Sequence, residues 1–147
     1  MIKKFYEETG MYIDWQQLNK LPEINTLIDI GVGSHGTEDL YDRFKNAKLI
    51  LIDPVDDAKK YAEQLSKKRE VKFFHNALGR EDDIEKEMKI QKDQGYSSFL
   101  DISKINMEDD WIEKRKLKIK KLDTIINDKQ SLGKIGIKID TEGYELD

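Results

Sequence analysis

The chain has 147 residues, with 26 Lys and Arg against 30 Asp and Glu for a formal net charge of -4 at pH 7, a pI near 5.3 and a mean hydropathy of -0.75. That length suits one domain able to bury roughly two-thirds of its unfolded surface. The acidic balance argues against a nucleic-acid binder, which needs a basic face, and no apolar run approaches the ~20 residues of a membrane span. The absence of cysteine removes disulfides, Cys-ligated zinc or iron–sulfur centres and a thiol nucleophile together.

Residues 1–25 carry Phe5, Tyr6, Met11, Tyr12, Trp15 and Leu18 at loosely helical spacing ahead of Pro22. They read as a helical lead-in packed on a sheet, with a lid over a cofactor as the sharper alternative. No apolar segment follows the N-terminal lysines, so the protein is expected to be cytoplasmic. The main domain is expected over 26–147. Thr26–Ile30 is an apolar run interrupted by Asp29, as suits a strand buried on both faces of a parallel sheet. A buried carboxylate needs a partner, which makes Asp29 the anomaly of this strand.

A helix is expected from Gly36 or Thr37, with Thr37 as its cap, Glu38 and Asp39 in its first turn, and Leu40, Tyr41 and Phe44 facing inward. A second strand covers Lys48–Asp53 and stops at Pro54, and a second helix covers about Asp56–Lys68 with Ala58, Tyr61, Ala62 and Leu65 on one face. The third strand is Val71–Leu78. Between Glu81 and Asn106 the pattern is ambiguous, and an extended segment through Ile84–Ile90 is favoured over a helix. Lys114–Lys121, KRKLKIKK, has six basic residues in eight. Alternation with Leu117 and Ile119 points to a strand with one buried and one solvated lysine face, against the alternative of an anion-binding patch. A short helical turn in TIINDKQ precedes a last strand, Ile135–Asp140, and TEGYELD reads as the first turn of another helix. The alternation of strand and helix predicts an α/β fold, a mostly parallel sheet flanked by helices.

The chemistry concentrates at Asp29–Gly36, DIGVGSHG, followed by Asp53 at the end of the second strand. The glycines match the dinucleotide pattern G-x-G-x-x-G with an acid at about the right distance, so an NAD-binding, oxidoreductase-like domain is one reading. Asp29 favours another. A loop that cradles pyrophosphate gains nothing from a carboxylate two residues before its first glycine. S-Adenosylmethionine has a free α-amino group for Asp29 and ribose hydroxyls for Asp53, and no phosphate. More ordinary roles are open for both acids, with Asp29 accepting N–H groups of the glycine turn and Asp53 exposed or capping the next helix.

The blocks LIDIGVGSHGTEDLY, LILIDP, FFHNALG, GYSSFL, KKLDTII and IKIDTEGYELD resemble, in order, those of the FkbM-type S-adenosylmethionine-dependent methyltransferases. The likeness runs from about Thr26 to the last residue. KIDTEGYELD carries most of it, being similar to the family's lysine-hydrophobic-acid-x-Glu-Gly segment. The glycine loop departs from the commoner family form, since Gly33 stands where an Asn is usual. The resemblance implies a Rossmann-like class I methyltransferase fold. It implies Asp29, Gly31 and Gly33 around the methionine part of the cofactor and Asp53 on the ribose. It further implies Asn76 and Ala77 near the adenine, and Asp140 and Glu142 beside the transferred methyl and a small-molecule acceptor, with O-methylation of a sugar or metabolite as the activity. Because the family continues past the last recognised strand, the resemblance also implies a fold incomplete at its C-terminus. The uncovered strand edge would then suit a second copy of the chain or a partner.

Methyl transfer is an in-line displacement, so positioning and removal of a proton from the acceptor are the tasks left to side chains. Asp140, Glu142 and His35 are the candidate bases. His75, inside the third strand, reads as a satisfied core or interface histidine. Ser97 and Ser98 are placed at the rim of the acceptor site, or in a turn with ordinary hydroxyl–backbone bonds. No regular ligand spacing supports a metal site. A non-catalytic module that keeps the nucleotide fold is the remaining alternative.

Overall fold

The computed structural model describes residues 19–92, 94, 97–99, 111–128 and 130–142. The expected lead-in helix therefore lies mostly outside the described residues, as does most of TEGYELD. The elements run β1 (Thr26–Ile30), α1 (Glu38–Arg43), β2 (Lys48–Ile52), α2 (Asp56–Leu65), β3 (Val71–Phe74), β4 (Ala77–Leu78), β5 (Glu85–Gln91), β6 (Trp111–Lys120), α3 (Leu122–Ile125), a 3-10 turn (Gln130–Leu132) and β7 (Ile135–Ile139).

The fold is α/β with few helices. Its main sheet has the order β3-β2-β1-β7, and all of its pairings are parallel. All residues of β1 are buried, as expected of a central strand covered on both faces. Its side chains alternate between two cores. Leu27, with Leu49 and Leu51 of β2, meets Tyr41, Phe44, Val55, Ala58 and Ala62 from α1, α2 and their ends. Ile28 and Ile30, with Ile50 and Ile52, meet Ile126 and Leu132 on the opposite face. Helices therefore cover one face, while on the other Leu122, Ile125, Ile126 and Leu132 pack with β1, β2 and Phe74 of β3. Beyond them, Ile135, Ile137 and Ile139 of β7 are 42–52% exposed, and among the described residues β7 pairs with β1 alone.

A smaller sheet, β4-β6-β5, stands beside the main one. Here the expectation of parallel pairing fails in part, because β5 runs antiparallel to β6 while β4 joins β6 in parallel. The extended reading of Ile84–Ile90 holds, with Met88 and Ile90 buried in the first core. The basic strand is neutralised across the ladder, Lys114 pairing with Glu87 at 3.4 Å and Lys116 with Glu85 at 3.2 Å. That agrees with a solvated lysine face.

Three of the expectations are corrected here. The second helix stops at Leu65, three residues before Lys68, and Arg69 explains the arrest. Its guanidinium donates to the carbonyls of Tyr41, Phe44 and Ala47 at 3.0, 3.3 and 2.8 Å, which ties the chain after α2 to the end of α1. The third strand breaks at His75 and Asn76 and continues as β4 in the other sheet. Thr37 precedes α1 but its side chain caps nothing; its hydroxyl donates instead to Asp29 Oδ2 at 3.3 Å.

Candidate functional site

The C-terminal ends of β1, β2 and β7 meet at one edge of the main sheet, where parallel α/β folds hold their ligands. Gly31 continues β1 with φ +82°, and a Cβ built there would fall on the carbonyl oxygen of Asp140. Only glycine permits both the left-handed turn and this approach. The loop is fixed from both sides, Gly31 N–H donating to Ile52 O at 3.0 Å and Asp140 N–H to Ile30 O at 2.9 Å. Gly33 and Gly36 also have positive φ, at 62° and 59°.

Asp53, one residue past β2, is 5% exposed. Its Oδ2 accepts the N–H groups of Val32 at 2.7 Å and Gly33 at 3.0 Å, and its Oδ1 accepts Val55 N–H at 2.8 Å. It thus takes the role that sequence offered to Asp29, holding the glycine turn, while its bond to Val55 N–H closes the turn ahead of α2 without capping that helix. Burial raises its carboxyl above the ordinary carboxylate range, with the three N–H groups acting against that shift.

Asp29 lies beneath the loop and is fully buried. It does not accept the N–H groups of the glycine turn. Oδ2 accepts the Tyr41 hydroxyl at 2.5 Å, and Lys138 Nζ stands 3.1 Å from Oδ1 as an ion pair. Desolvation pushes the Asp29 carboxyl up, opposed first by the Lys138 charge and then by the Tyr41 hydrogen bond. Burial and the neighbouring carboxylate drive the Tyr41 phenol far above its ordinary value, so it remains a donor. Tyr61, beside it, is raised to about 12, again mainly by burial.

A cleft of about 520 Å³, its open mouth included, extends from these strand ends. Gly31, Gly33 and Asp53 form one end, Asn76 and Ala77 the β3–β4 side, and Asp140, Thr141 and Glu142 the opposite side. Met88, Phe99 and Ser97 close it from the small sheet. Asp140 is open to solvent, its side chain 61% exposed. Glu142 follows with φ 53°, a left-handed conformation that a non-glycine residue adopts at a cost. Ser98 Oγ donates to the Glu142 carbonyl at 2.9 Å, and Gln91 N–H donates to Ser97 Oγ at 3.1 Å. Both serines therefore make hydroxyl–backbone bonds, and Ser97 also lines the cleft.

Of the candidates from sequence, Gly31, Gly33, Asp53, Asn76, Ala77, Asp140 and Glu142 share this cleft. Asp29 does not line it. His35 is exposed on the loop, with Ser34 Oγ 3.1 Å from its Nδ1, and is not among the lining residues. His75 is exposed, which corrects the core placement; its Nε2 lies 2.8 Å from Pro54 O. Among the described residues no group of three or more His, Cys, Asp or Glu could hold a metal ion, and no helix is long and apolar enough to cross a membrane.

Two residues of the site escaped the sequence reading. Lys138 was visible only as the lysine of KIDTEG, and Tyr41 only as an inner-face aromatic of the first helix. A lysine two residues before Asp140, on an otherwise apolar strand, was itself the signal, since a charge set against a sheet core demands a counterion. Comparison with known proteins adds no relative, as no family model, curated protein or solved structure matches the chain.

Proposed function

We propose that the cleft is the cofactor end of a methyl-transfer site that takes S-adenosylmethionine, with a hydroxyl of a small molecule as acceptor. The observation that carries this reading is the convergence on one cleft of Gly31, Gly33, Asp53, Asn76, Ala77, Asp140 and Glu142, which lie far apart in the chain. The finer fold that goes with it is the Rossmann-like methyltransferase arrangement of the FkbM type, of which the observed parallel sheet is the coarse form.

The residues present fit that cofactor. An ionised carboxylate offers about four acceptor positions, and Asp53 uses three of them on backbone N–H groups, which leaves one for a ribose hydroxyl. Asn76 and Ala77 would read the adenine. Asp140 and the carbonyl of Gly31 would face the methionine end. When bound, the cofactor supplies an electrophilic methyl group on a sulfonium. The chain's own part is to orient the acceptor and to take its proton, for which the solvent-facing Asp140 carboxylate and Glu142 are placed on one side of the cleft.

The same geometry speaks against a dinucleotide. The Val32 and Gly33 N–H groups that would cradle a pyrophosphate are already taken by the Asp53 carboxylate, which would repel it. Titration calorimetry with S-adenosylhomocysteine and NAD in parallel tests the assignment. Only the former should bind, and Asp53→Ala should weaken it at least about tenfold, roughly 1.4 kcal/mol. Tight NAD binding, or unchanged affinity in Asp53→Ala with an intact thermal transition, would sink the assignment. Binding without product from a panel of hydroxylated acceptors would leave a non-catalytic nucleotide-binding module instead.

A further inference from the structure

Lys138 lies on the Asp29 side of β7, opposite its exposed isoleucines. Parallel pairing sets Asp29 beside Lys138 and Ile30 beside Ile139, so alternate residues of β7 face opposite ways. Among the described residues the Lys138 ammonium meets three groups. It donates to the Gly31 carbonyl at 2.8 Å, pairs with the buried Asp29 Oδ1 at 3.1 Å, and stands 3.7 Å from Asp140 Oδ2. Its side chain is 24% exposed, against 0% for Asp29 and 61% for Asp140. One cation therefore spans the distance from a carboxylate sealed under the loop to a carboxylate open to the cleft, by way of the carbonyl of the loop's first glycine.

We propose that Lys138 is a positioning residue, whose ammonium aims the Gly31 carbonyl and the Asp140 carboxylate and so shapes the end of the cleft formed by the glycine loop and β7. This rests on the reading of the cleft as a cofactor site. Lys138 neutralises Asp29, so the loop sits over a compensated pair and Asp140 is the acid that presents charge to a ligand. The Gly31 carbonyl has one lone pair engaged by Lys138, which orients the other. A ligand with a cationic amino group feels both acceptors. A ligand that ends before that group feels neither.

The test compares S-adenosylhomocysteine, which has the amino-acid end, with 5′-methylthioadenosine, which lacks it, by calorimetry on the full chain. Lys138→Met should weaken S-adenosylhomocysteine at least tenfold and 5′-methylthioadenosine less than threefold. Lys138→Arg retains the charge that compensates Asp29 but moves the donors. It should fold even where Lys138→Met does not, and should lose at least threefold on S-adenosylhomocysteine with no change on 5′-methylthioadenosine. Equal losses on both ligands in Lys138→Arg, or no loss on either, overturn the positioning role. Failure of the unmodified protein to bind either ligand overturns the cofactor reading and this inference with it. Binding of both ligands with unequal losses in the variants supports the two together.

Discussion

Replacing Tyr41 by Phe removes one oxygen from the site and leaves the ring that packs against α2. Tyr41 is 2% exposed, and its hydroxyl is the closest hydrogen-bond donor to a carboxylate that is itself fully buried. A hydrogen bond to a charged group contributes about 1.5–3 kcal/mol. Without it, Oδ2 of Asp29 keeps, among the described residues, the longer Thr37 hydrogen bond at 3.3 Å. For a domain of about 150 residues each kcal/mol lowers Tm by roughly 2–4 °C, so the expected fall is about 3–12 °C at pH 7. The pH dependence gives the sign. The Tyr41 hydrogen bond stabilises ionised Asp29 and lowers its pKa, acting against the larger desolvation effect. Its contribution is therefore present where Asp29 is ionised, above its folded pKa, and shrinks as acid protonates the carboxyl. Thermal melts of both proteins from pH 7 down to about pH 4 should show the difference narrowing. A loss that stays constant with pH, or one below about 0.5 kcal/mol, would refute the assignment of this hydrogen bond to a charged Asp29.

Burial also raises the folded-state pKa of Asp53 above 3.8. Each raised carboxyl contributes stability that is full below 3.8 and is lost as pH rises through its folded value. Asp29→Asn should accordingly flatten the stability profile above pH 3.8, and an unchanged slope in urea titrations would count against the raised value. Gly31→Ala should be among the most disruptive small substitutions, because it combines a positive φ with overlap of the Asp140 carbonyl. A left-handed non-glycine residue costs about 1–2 kcal/mol, and displacement of the end of β7 adds to that, so an unaltered Tm would show that the loop yields. Arg69→Ala removes the bonds donated to the carbonyls of Tyr41, Phe44 and Ala47, of which Phe44 O keeps the Ala47 N–H; a loss of about 1–3 kcal/mol in urea denaturation is expected, and less than about 0.5 kcal/mol would reduce those contacts to surface decoration.

The central strands β1 and β2 were legible because burial on both faces leaves a continuous apolar signature, and β7 because isoleucine recurs at alternate positions along it. Thr26–Ile30 matched residue for residue, and Lys48–Ile52 and Ile135–Ile139 each fell one residue short of the expected acid. The short strands were not legible. Val71–Leu78 reads as one strand, VKFFHNAL, and its polar His75 and Asn76 do not say that the chain changes sheets there. The antiparallel pairing of β5 with β6 depends on residues far apart in sequence. At the site, the glycines and Asp53 were found, and the Asp53-Pro54-Val55 spacing even allowed the side chain to accept an N–H two residues on. The partners of Asp29 were hidden for a different reason. Tyr41 and Lys138 reach it only after α1 and β7 have packed on either side of β1, so the anomaly was plain before its resolution could be.

Among the described residues β7 is held by β1 alone, so its alignment rests on that one ladder. A strand held on one side with isoleucine at alternate positions could slide along β1, and a slip of one residue would exchange its two faces. Ile137 or Ile139 would then lie against the Asp29 carboxylate, while Lys138 would point into solvent and leave a buried charge uncompensated. Breaking such a pair costs about 3–5 kcal/mol, enough to make the observed alignment dominate by more than a hundredfold. The Asp29–Lys138 pair thus acts as a key for strand register, and it brings Asp140 to the cleft at the height of Gly31.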